Sequence, residues 1–303
     1  MYLSYSGYHT FRECPRVYFH RYINKSELPE PDNRVNMLYG SAVGVVFERF
    51  YNDKIWRQSN TEAALQAIVE PVISEIIAKE RSKGGVFDWK APKLKIKSLE
   101  QLTKEVRVAI PKGLATIRLH RLIGHDAAAE VKLDGKFQGH ILGGRADFAM
   151  HRVEPYKDKI ILDGKGSRYR EQYVDAAQLH WYAMLHRAKL GVPPDRLGFV
   201  FWRQDSERAL DWVPFTPADL DHILIDALAA VREIERCATS WSEAKDTPEE
   251  MARLQELFPA NPSGQCKLCS YKFACPFGTS MKPTRVQPAD LGGVGVEDVG
   301  FDD

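Results

Sequence analysis

The 303-residue chain lacks an apolar run long enough to cross a bilayer. Its first residues, MYLSYSGYHTF, also lack the basic and apolar segments of an export signal. These two absences predict a cytoplasmic protein without a membrane partner. No Gly-x-x-x-x-Gly-Lys-Ser/Thr stretch is present, so nothing indicates a P-loop nucleotide site.

A strong net charge is lacking as well, because the chain carries only +1. The last fourteen residues hold five acids and no Lys or Arg, which leaves 36 acidic against 42 basic residues in 1–289. This mildly basic remainder permits nucleic acid as a partner without demanding it. We expect residues 280–303, rich in Gly and Asp, to be a disordered acidic tail.

Cysteine is scarce, yet three of the five cysteines lie within CKLCSYKFACP, residues 266–276. In a reducing compartment, clustered cysteines indicate a metal site rather than disulfides. Tetrahedral zinc sites and four-iron clusters usually take four protein ligands, so one ligand has to come from elsewhere. Cys237 lies on an amphipathic helical pattern, and we predict that it is a core residue.

Hydrophobic patterning divides the chain into helices up to about residue 125, short strands from about 127, and further helices after them. This order predicts an α/β (α+β) fold with a central mixed sheet flanked by helices. Residues 2–22 indicate two helices broken at Cys14-Pro15, the first capped by Ser4 or Ser6. Pro217 is predicted to open a long helix that ends near residue 237.

Charged residues at the ends of two predicted strands carry most of the functional signal. In IILDGKG, Asp163 and Lys165 project on one side of a strand that is otherwise apolar. In ILGGRADFAM, Asp147 follows two glycines that would let another backbone approach. Two carboxylates beside a lysine predict a Mg²⁺ or Mn²⁺ site, with Glu130 as a further ligand. Taken alone, Asp-x-Lys more often forms a surface salt bridge.

Gln178 and Tyr182 are four residues apart on the next predicted helix and therefore share one face. With Asp147 and the Asp163-x-Lys165 pair before them, they resemble the RecB-type branch of the PD-(D/E)XK nucleases, in which Gln-x-x-x-Tyr follows Asp and Asp-x-Lys. The resemblance runs from Ser4 to Pro276. It implies a restriction-endonuclease-like core in a single nuclease domain, 1–279. Within that domain, 1–125 would be helical, 126–215 the catalytic sheet core, and 216–279 the last helices and the cysteines.

Iron–sulfur members of this branch carry an early Cys-Pro and a late Cys-x₂-Cys-x₅-Cys. Cys14-Pro15 matches the first element, and Cys266, Cys269 and Cys275 match the second. The resemblance thus implies a [4Fe–4S] cluster that staples the N- and C-terminal segments together. Ligand type alone leaves Zn²⁺ at the four cysteines as the alternative.

The resemblance implies a metal-dependent DNA exonuclease that acts on single-stranded or duplex DNA ends, with single strands preferred. It would serve recombination, repair, phage DNA metabolism or CRISPR adaptation in a bacterial, archaeal or phage-infected cell, and a recombinase or helicase is a candidate partner. Asp147, Asp163, Lys165, Gln178 and Tyr182 would be the catalytic set. The candidate DNA-binding residues are Arg168, Arg170, Lys93, Lys95 and Lys97.

One position departs from the family pattern Gly-x-x-x-His-x-x-x-Glu. The chain has Gly40 and Glu48 in place but Gly44 where the family has its metal-binding histidine. Glu48 or Glu130 would then have to replace the missing ligand. The departure supports an alternative function, a DNA-binding or assembly subunit that keeps the nuclease fold with weakened catalysis. A zinc-bound module without enzymatic activity is a third alternative.

Overall fold

A computed structural model of the chain describes residues 1–25, 34–90, 96–166, 174–264, 266, 269–275 and 277. The predicted acidic tail lies outside these residues, and so do four of the five predicted DNA-binding residues: Lys93, Lys95, Arg168 and Arg170. No helix within the described ranges is long and apolar enough to cross a membrane.

Helices come before and after the strands. The helices are α1 (Tyr5–Glu13), α2 (Pro15–Tyr18), α3 (Val35–Asn52), α4 (Thr61–Arg81), α5 (Leu99–Leu119), α6 (Ala176–Leu190), α7 (Pro217–Ala244) and α8 (Glu250–Leu257). The strands are β1 (Tyr2–Ser4), β2 (Ala128–Phe137), β3 (His140–His151), β4 (Lys159–Lys165), β5 (Arg196–Phe201) and β6 (Leu210–Val213). The predicted mixed sheet with helices around it is confirmed.

Strand β3 organises the sheet because it has three partners. β2 pairs antiparallel along nearly all of it. On its other side, β1 pairs parallel with residues 141–143 and β4 pairs antiparallel with residues 148–151. Residues 144–147 of β3 therefore lie in a gap between β1 and β4. Beyond β4 the sheet continues with parallel β5 and antiparallel β6.

The sheet is buried between two hydrophobic clusters, one on each face. One cluster contains residues of α1, α6, α7 and α8, with Trp181 fully buried in it. The other contains residues of α3, α4 and α5, where Phe47 stacks on Trp202 with ring centroids 4.1 Å apart. Both faces of the sheet are therefore covered, and the polar site has to lie where a strand ends or two strands separate.

The two ends of the chain differ from their sequence predictions. Tyr2–Ser4 form strand β1 rather than the start of a helix, because they pair with β3. Ser4 caps α1 as predicted, since its Oγ accepts the Gly7 N–H at 3.2 Å. Helix α7 continues to Ala244, beyond the predicted end near 237, and Trp241 in this extension packs edge-on against Phe19 at 4.9 Å.

Candidate active site and cysteine cavity

Asp163 and Lys165 project from the end of β4 on the side of the sheet that α6 covers. Asp163 is only 3% exposed, and its Oδ2 lies 2.5 Å from Lys165 Nζ. Burial raises the pKa of Asp163, while the charge of Lys165 and its hydrogen bond oppose this rise. Because a buried carboxylate without a partner is costly, the Lys165 ammonium is the group that stabilises the charged form of Asp163.

Asp147 lies next to this pair because β3 and β4 separate at this point. Their last paired residues are Phe148 and Leu162, and beyond them the Gly164 N–H donates to Asp147 Oδ2 at 2.8 Å. Burial raises the pKa of Asp147 to about 7, and the negative charge of Asp163 adds to the rise. The predicted meeting of two carboxylates and a lysine is therefore observed.

The side-chain alternation of β3 is interrupted at Asp147. Leu142 and Ala146 belong to the core cluster that contains α6. Phe148 and Met150, which strict alternation would place on the same face, belong to the cluster that contains α3. The strand therefore changes faces at the carboxylate, where β1 and β4 leave it unpaired on one side.

The two further candidate ligands lie beside this site. Glu130 on β2 lies opposite Asp147 on β3, because the residues on both sides of Glu130 pair with the residues on both sides of Asp147. The φ of Glu130 is 55°, which is unusual for a residue other than glycine. Its carboxylate forms an ion pair with Arg145 at 3.0 Å. Burial raises the pKa of Glu48 on α3, and the charge of Glu130 raises it further. Glu48 and Glu130 thus lie within electrostatic range of each other.

Helix α6 places Gln178 and Tyr182 next to Lys165. Gln178 Oε1 accepts a long hydrogen bond from Lys165 Nζ at 3.4 Å, and its Nε2 donates to the Tyr182 hydroxyl at 3.1 Å. The glycines before Asp147 were predicted to allow the approach of another backbone. In the structure, aromatic rings approach them instead. A Cβ at Gly144 would lie 2.9 Å from the Tyr182 ring, and one at Gly143 would lie 2.6 Å from the Tyr2 ring.

The glycine in place of the family histidine leaves open space. Gly40, Gly44 and Glu48 are four residues apart on α3 and share one face of it. At one end of this face, a Cβ on Gly166 would come within 2.6 Å of Gly40 Cα. A Cβ at Gly44 would meet no atom within 4 Å. The position thus has room for a side chain but provides no ligand.

The carboxylates fit a hard divalent cation that takes few protein ligands. In the described part of the chain, no three or more His, Cys, Asp or Glu side chains are grouped so that they would hold a metal ion. Mg²⁺ keeps several waters and binds through one or two carboxylates plus substrate phosphates. Asp147 and Asp163 satisfy that smaller requirement, with the remaining positions open to water and a substrate phosphate.

Two residues in contact with the site were not identified from the sequence. Phe199 of β5 lies beneath Lys165, with Nζ 5.2 Å from the ring centroid. Arg145 pairs with Glu130, and its position two residues before Asp147 was the signal that could have found it. Lys97, the described member of the predicted DNA-binding lysines, is exposed at the start of α5, where its backbone N–H donates to Gln101 at 2.8 Å.

The four predicted cluster cysteines line one cavity of about 320 Å³. They are Cys14, Cys266, Cys269 and Cys275. Three of the sulfurs accept backbone N–H groups, from Asn261, Ser263 and Tyr271, at 3.3–3.4 Å. Burial raises the pKa of Cys269, and the other three cysteines raise it further. The fifth cysteine, Cys237, is 1% exposed in the core, as predicted.

Asp147 makes the stability of the metal-free protein depend on pH. Its pKa rises from 3.8 to about 7 on folding, so the folded chain holds this proton more tightly than the unfolded chain. The stability gained from the proton is complete below about pH 4 and is lost as the pH rises through about 7. The free energy of unfolding would be measured by urea titration in EDTA at a series of pH values. Between about pH 4 and pH 7, we expect it to fall more steeply with rising pH in the wild type than in Asp147→Asn. Parallel pH profiles would contradict this.

Comparison with known proteins places the chain in a family. The model of the PD-(D/E)XK nuclease superfamily matches residues 2–276. No curated protein matches the chain. Among solved structures, a candidate exonuclease from Eubacterium rectale is 13% identical over 79% of this chain and 82% of that chain, with a TM-score of 0.44. The protein SSO0001 is 16% identical over 86% of this chain and 92% of that chain, with a TM-score of 0.29. The superfamily match spans nearly the whole chain, which therefore belongs to the PD-(D/E)XK nuclease superfamily.

Proposed function

We propose that this nuclease is a Mg²⁺- or Mn²⁺-dependent DNA exonuclease that acts on DNA ends and prefers single strands. The observation that supports a catalytic role most directly is the meeting of Asp147, Asp163 and Lys165 where β3 and β4 separate. Two buried carboxylates with raised pKa values beside a lysine are typical of a site that binds a cation and handles protons.

In this proposal each side chain has a distinct task. Asp147 and Asp163 bind the metal, with Glu130 or Glu48 as a further ligand. When bound, the metal neutralises phosphate charge and lowers the pKa of water. Lys165, held by Asp163 and Gln178, orients the attacking water and stabilises the negative charge that develops on the phosphate. Tyr182 fixes Gln178 through their hydrogen bond.

We further propose that the four cysteines bind a [4Fe–4S] cluster. Support comes from the single cavity that they line and from the N–H groups directed at three of the sulfurs. A zinc ion, the alternative, needs all four sulfurs at about 2.3 Å from one point. The early Cys14-Pro15 and the late Cys-x₂-Cys-x₅-Cys spacing favour the cluster, by resemblance to the iron–sulfur members of the family.

The superfamily match over residues 2–276 supports the proposal that 1–279 form one nuclease domain. Its parts would be the helical 1–125, the sheet core 126–215, and the C-terminal helices with the cysteines, 216–279. A role in recombination, repair, phage DNA metabolism or CRISPR adaptation fits this activity, with a recombinase or helicase as partner. Gly44 supports the alternative, a DNA-binding subunit with weakened catalysis, because this position provides no metal ligand.

The test is cleavage of single-stranded DNA labelled at either the 5′ or the 3′ end, in Mn²⁺ and in EDTA. We expect Mn²⁺-dependent shortening from an end, because the two-carboxylate site needs a cation to engage the phosphate. A circular single strand is the matched control and should resist an exonuclease. Binding of DNA without cleavage in Mn²⁺ would favour the alternative, and cleavage of the circle would identify an endonuclease.

A further inference from the structure

A hydrogen bond joins the start of α1 to the start of α6, across 170 positions of sequence. The Tyr5 hydroxyl donates to Asp175 Oδ2, and the Tyr5 ring packs against Trp181 with centroids 5.8 Å apart. Tyr5 is 7% exposed. Burial raises the pKa of Tyr5, and the hydrogen bond to Asp175 raises it further, so the hydroxyl keeps the proton that it donates.

Asp175 is the N-cap residue of α6, directly before its first helical residue. Its Oδ1 accepts the Ala177 N–H at 3.2 Å, and its backbone carbonyl accepts the Gln178 N–H at 3.1 Å. A capping residue fixes the first turn of its helix, and Gln178 projects from that turn toward Lys165. The Asp175 carboxylate therefore helps to hold the turn from which the Gln178 side chain projects.

Other contacts hold α6 farther along its length. Trp181 Nε1 donates to the Gly143 carbonyl at 3.1 Å, and the Tyr182 ring covers Gly144. These contacts would keep the helix in place if the bond from Tyr5 were lost. The first turn, however, would lose the group that holds its capping carboxylate.

We propose that Tyr5 is a positioning residue for the nuclease reaction, which acts through Asp175 and Gln178 on Lys165. This inference rests on the proposed function. Tyr5 does not touch the reacting groups; it holds the first turn of α6 so that Gln178 orients the Lys165 ammonium. The N-terminal helix thereby contributes to catalysis from outside the strands that carry the carboxylates.

Tyr8 provides a matched control on the same helix. Its ring stacks on Trp181 with centroids 5.4 Å apart, and it is 8% exposed, so its packing resembles that of Tyr5. The tyrosine hydroxyl that donates a hydrogen bond to Asp175 belongs to Tyr5, not to Tyr8. Replacement by phenylalanine keeps both rings, so the two variants separate the hydrogen bond from the packing.

We expect Tyr5→Phe to lower kcat about tenfold, with KM for single-stranded DNA changed less than about twofold, because orientation is lost while binding is kept. Tyr8→Phe should keep the wild-type kcat. In a Gln178→Ala background, Tyr5→Phe should cause no further loss, because its effect passes through the missing amide.

Three results separate the outcomes. An active wild type with an unchanged kcat in Tyr5→Phe overturns the positioning role alone. A tenfold loss that recurs in the Gln178→Ala background also overturns it, because Tyr5 would then act by another route. A wild type that does not cleave DNA overturns the proposed function itself, and the positioning role with it.

Discussion

Lys165→Ala is expected to lower kcat for single-stranded DNA by about 10³-fold, the scale seen when one preorganised charge donor is removed from an active site. The ammonium lies 2.5 Å from Asp163 and within 3.4 Å of Gln178, so it is fixed before substrate arrives. Its loss removes the group that orients water and stabilises charge. The measurement is single-turnover cleavage of end-labelled strands in Mn²⁺.

The control for Lys165→Ala is Lys159→Ala, at the opposite end of the same strand. This variant should cleave like the wild type. Because loss of Lys165 leaves Asp163 buried without its partner, thermal unfolding of each variant has to be compared as well. Cleavage that persists equally in a folded Lys165→Ala variant would refute the assignment of the catalytic lysine.

Cys14→Ala is expected to destabilise the protein as much as Cys269→Ala, lowering the thermal midpoint by about 10 °C or more. Cys14 ends α1, while Cys269 lies near the other end of the described chain, so a shared cluster would close a very long loop. Contacts between these regions are both aromatic and polar, and Phe19 packs against Phe258 with ring centroids 5.0 Å apart. They include the bonds from Arg16 to the Phe258 carbonyl and to Gln255, both at 2.8 Å.

The measurements for the cysteine variants are thermal unfolding, iron content and absorbance near ~400 nm, as expected of an iron–sulfur protein. Cys237→Ala is the control, because this buried cysteine lies in the core and outside the cavity. It should keep the iron and the colour. A Cys14→Ala variant with normal iron would exclude Cys14 as a ligand. A colourless wild type with stoichiometric zinc would support the zinc alternative.

The local part of the candidate site could be predicted from the sequence. Strand alternation is enough to place Asp163 and Lys165 on one side of β4, and helical spacing is enough to place Gln178 and Tyr182 on one face of α6. The observed ion pair and hydrogen bonds agree with both predictions. These relationships depend on neighbours within a few residues, which periodicity describes well.

Features that depend on distant partners could not be predicted. Three residues from Tyr2 to Ser4 show no strand period, and only their pairing with β3 makes them a strand. The change of faces at Asp147 follows from the separation of β1 and β4, which no local pattern contains. Likewise, the bond from Tyr5 to Asp175 depends on how two helices dock.

The contact between Gly40 and Gly166 constrains how this sequence can evolve. A Cβ on Gly166 would lie 2.6 Å from the Gly40 backbone, closer than real Cβ atoms approach. Any larger residue at Gly166 would push α3 away from the end of β4 that carries Lys165. We therefore expect functional relatives to keep glycine at the position of Gly166, and to admit a larger residue there only when α3 has moved.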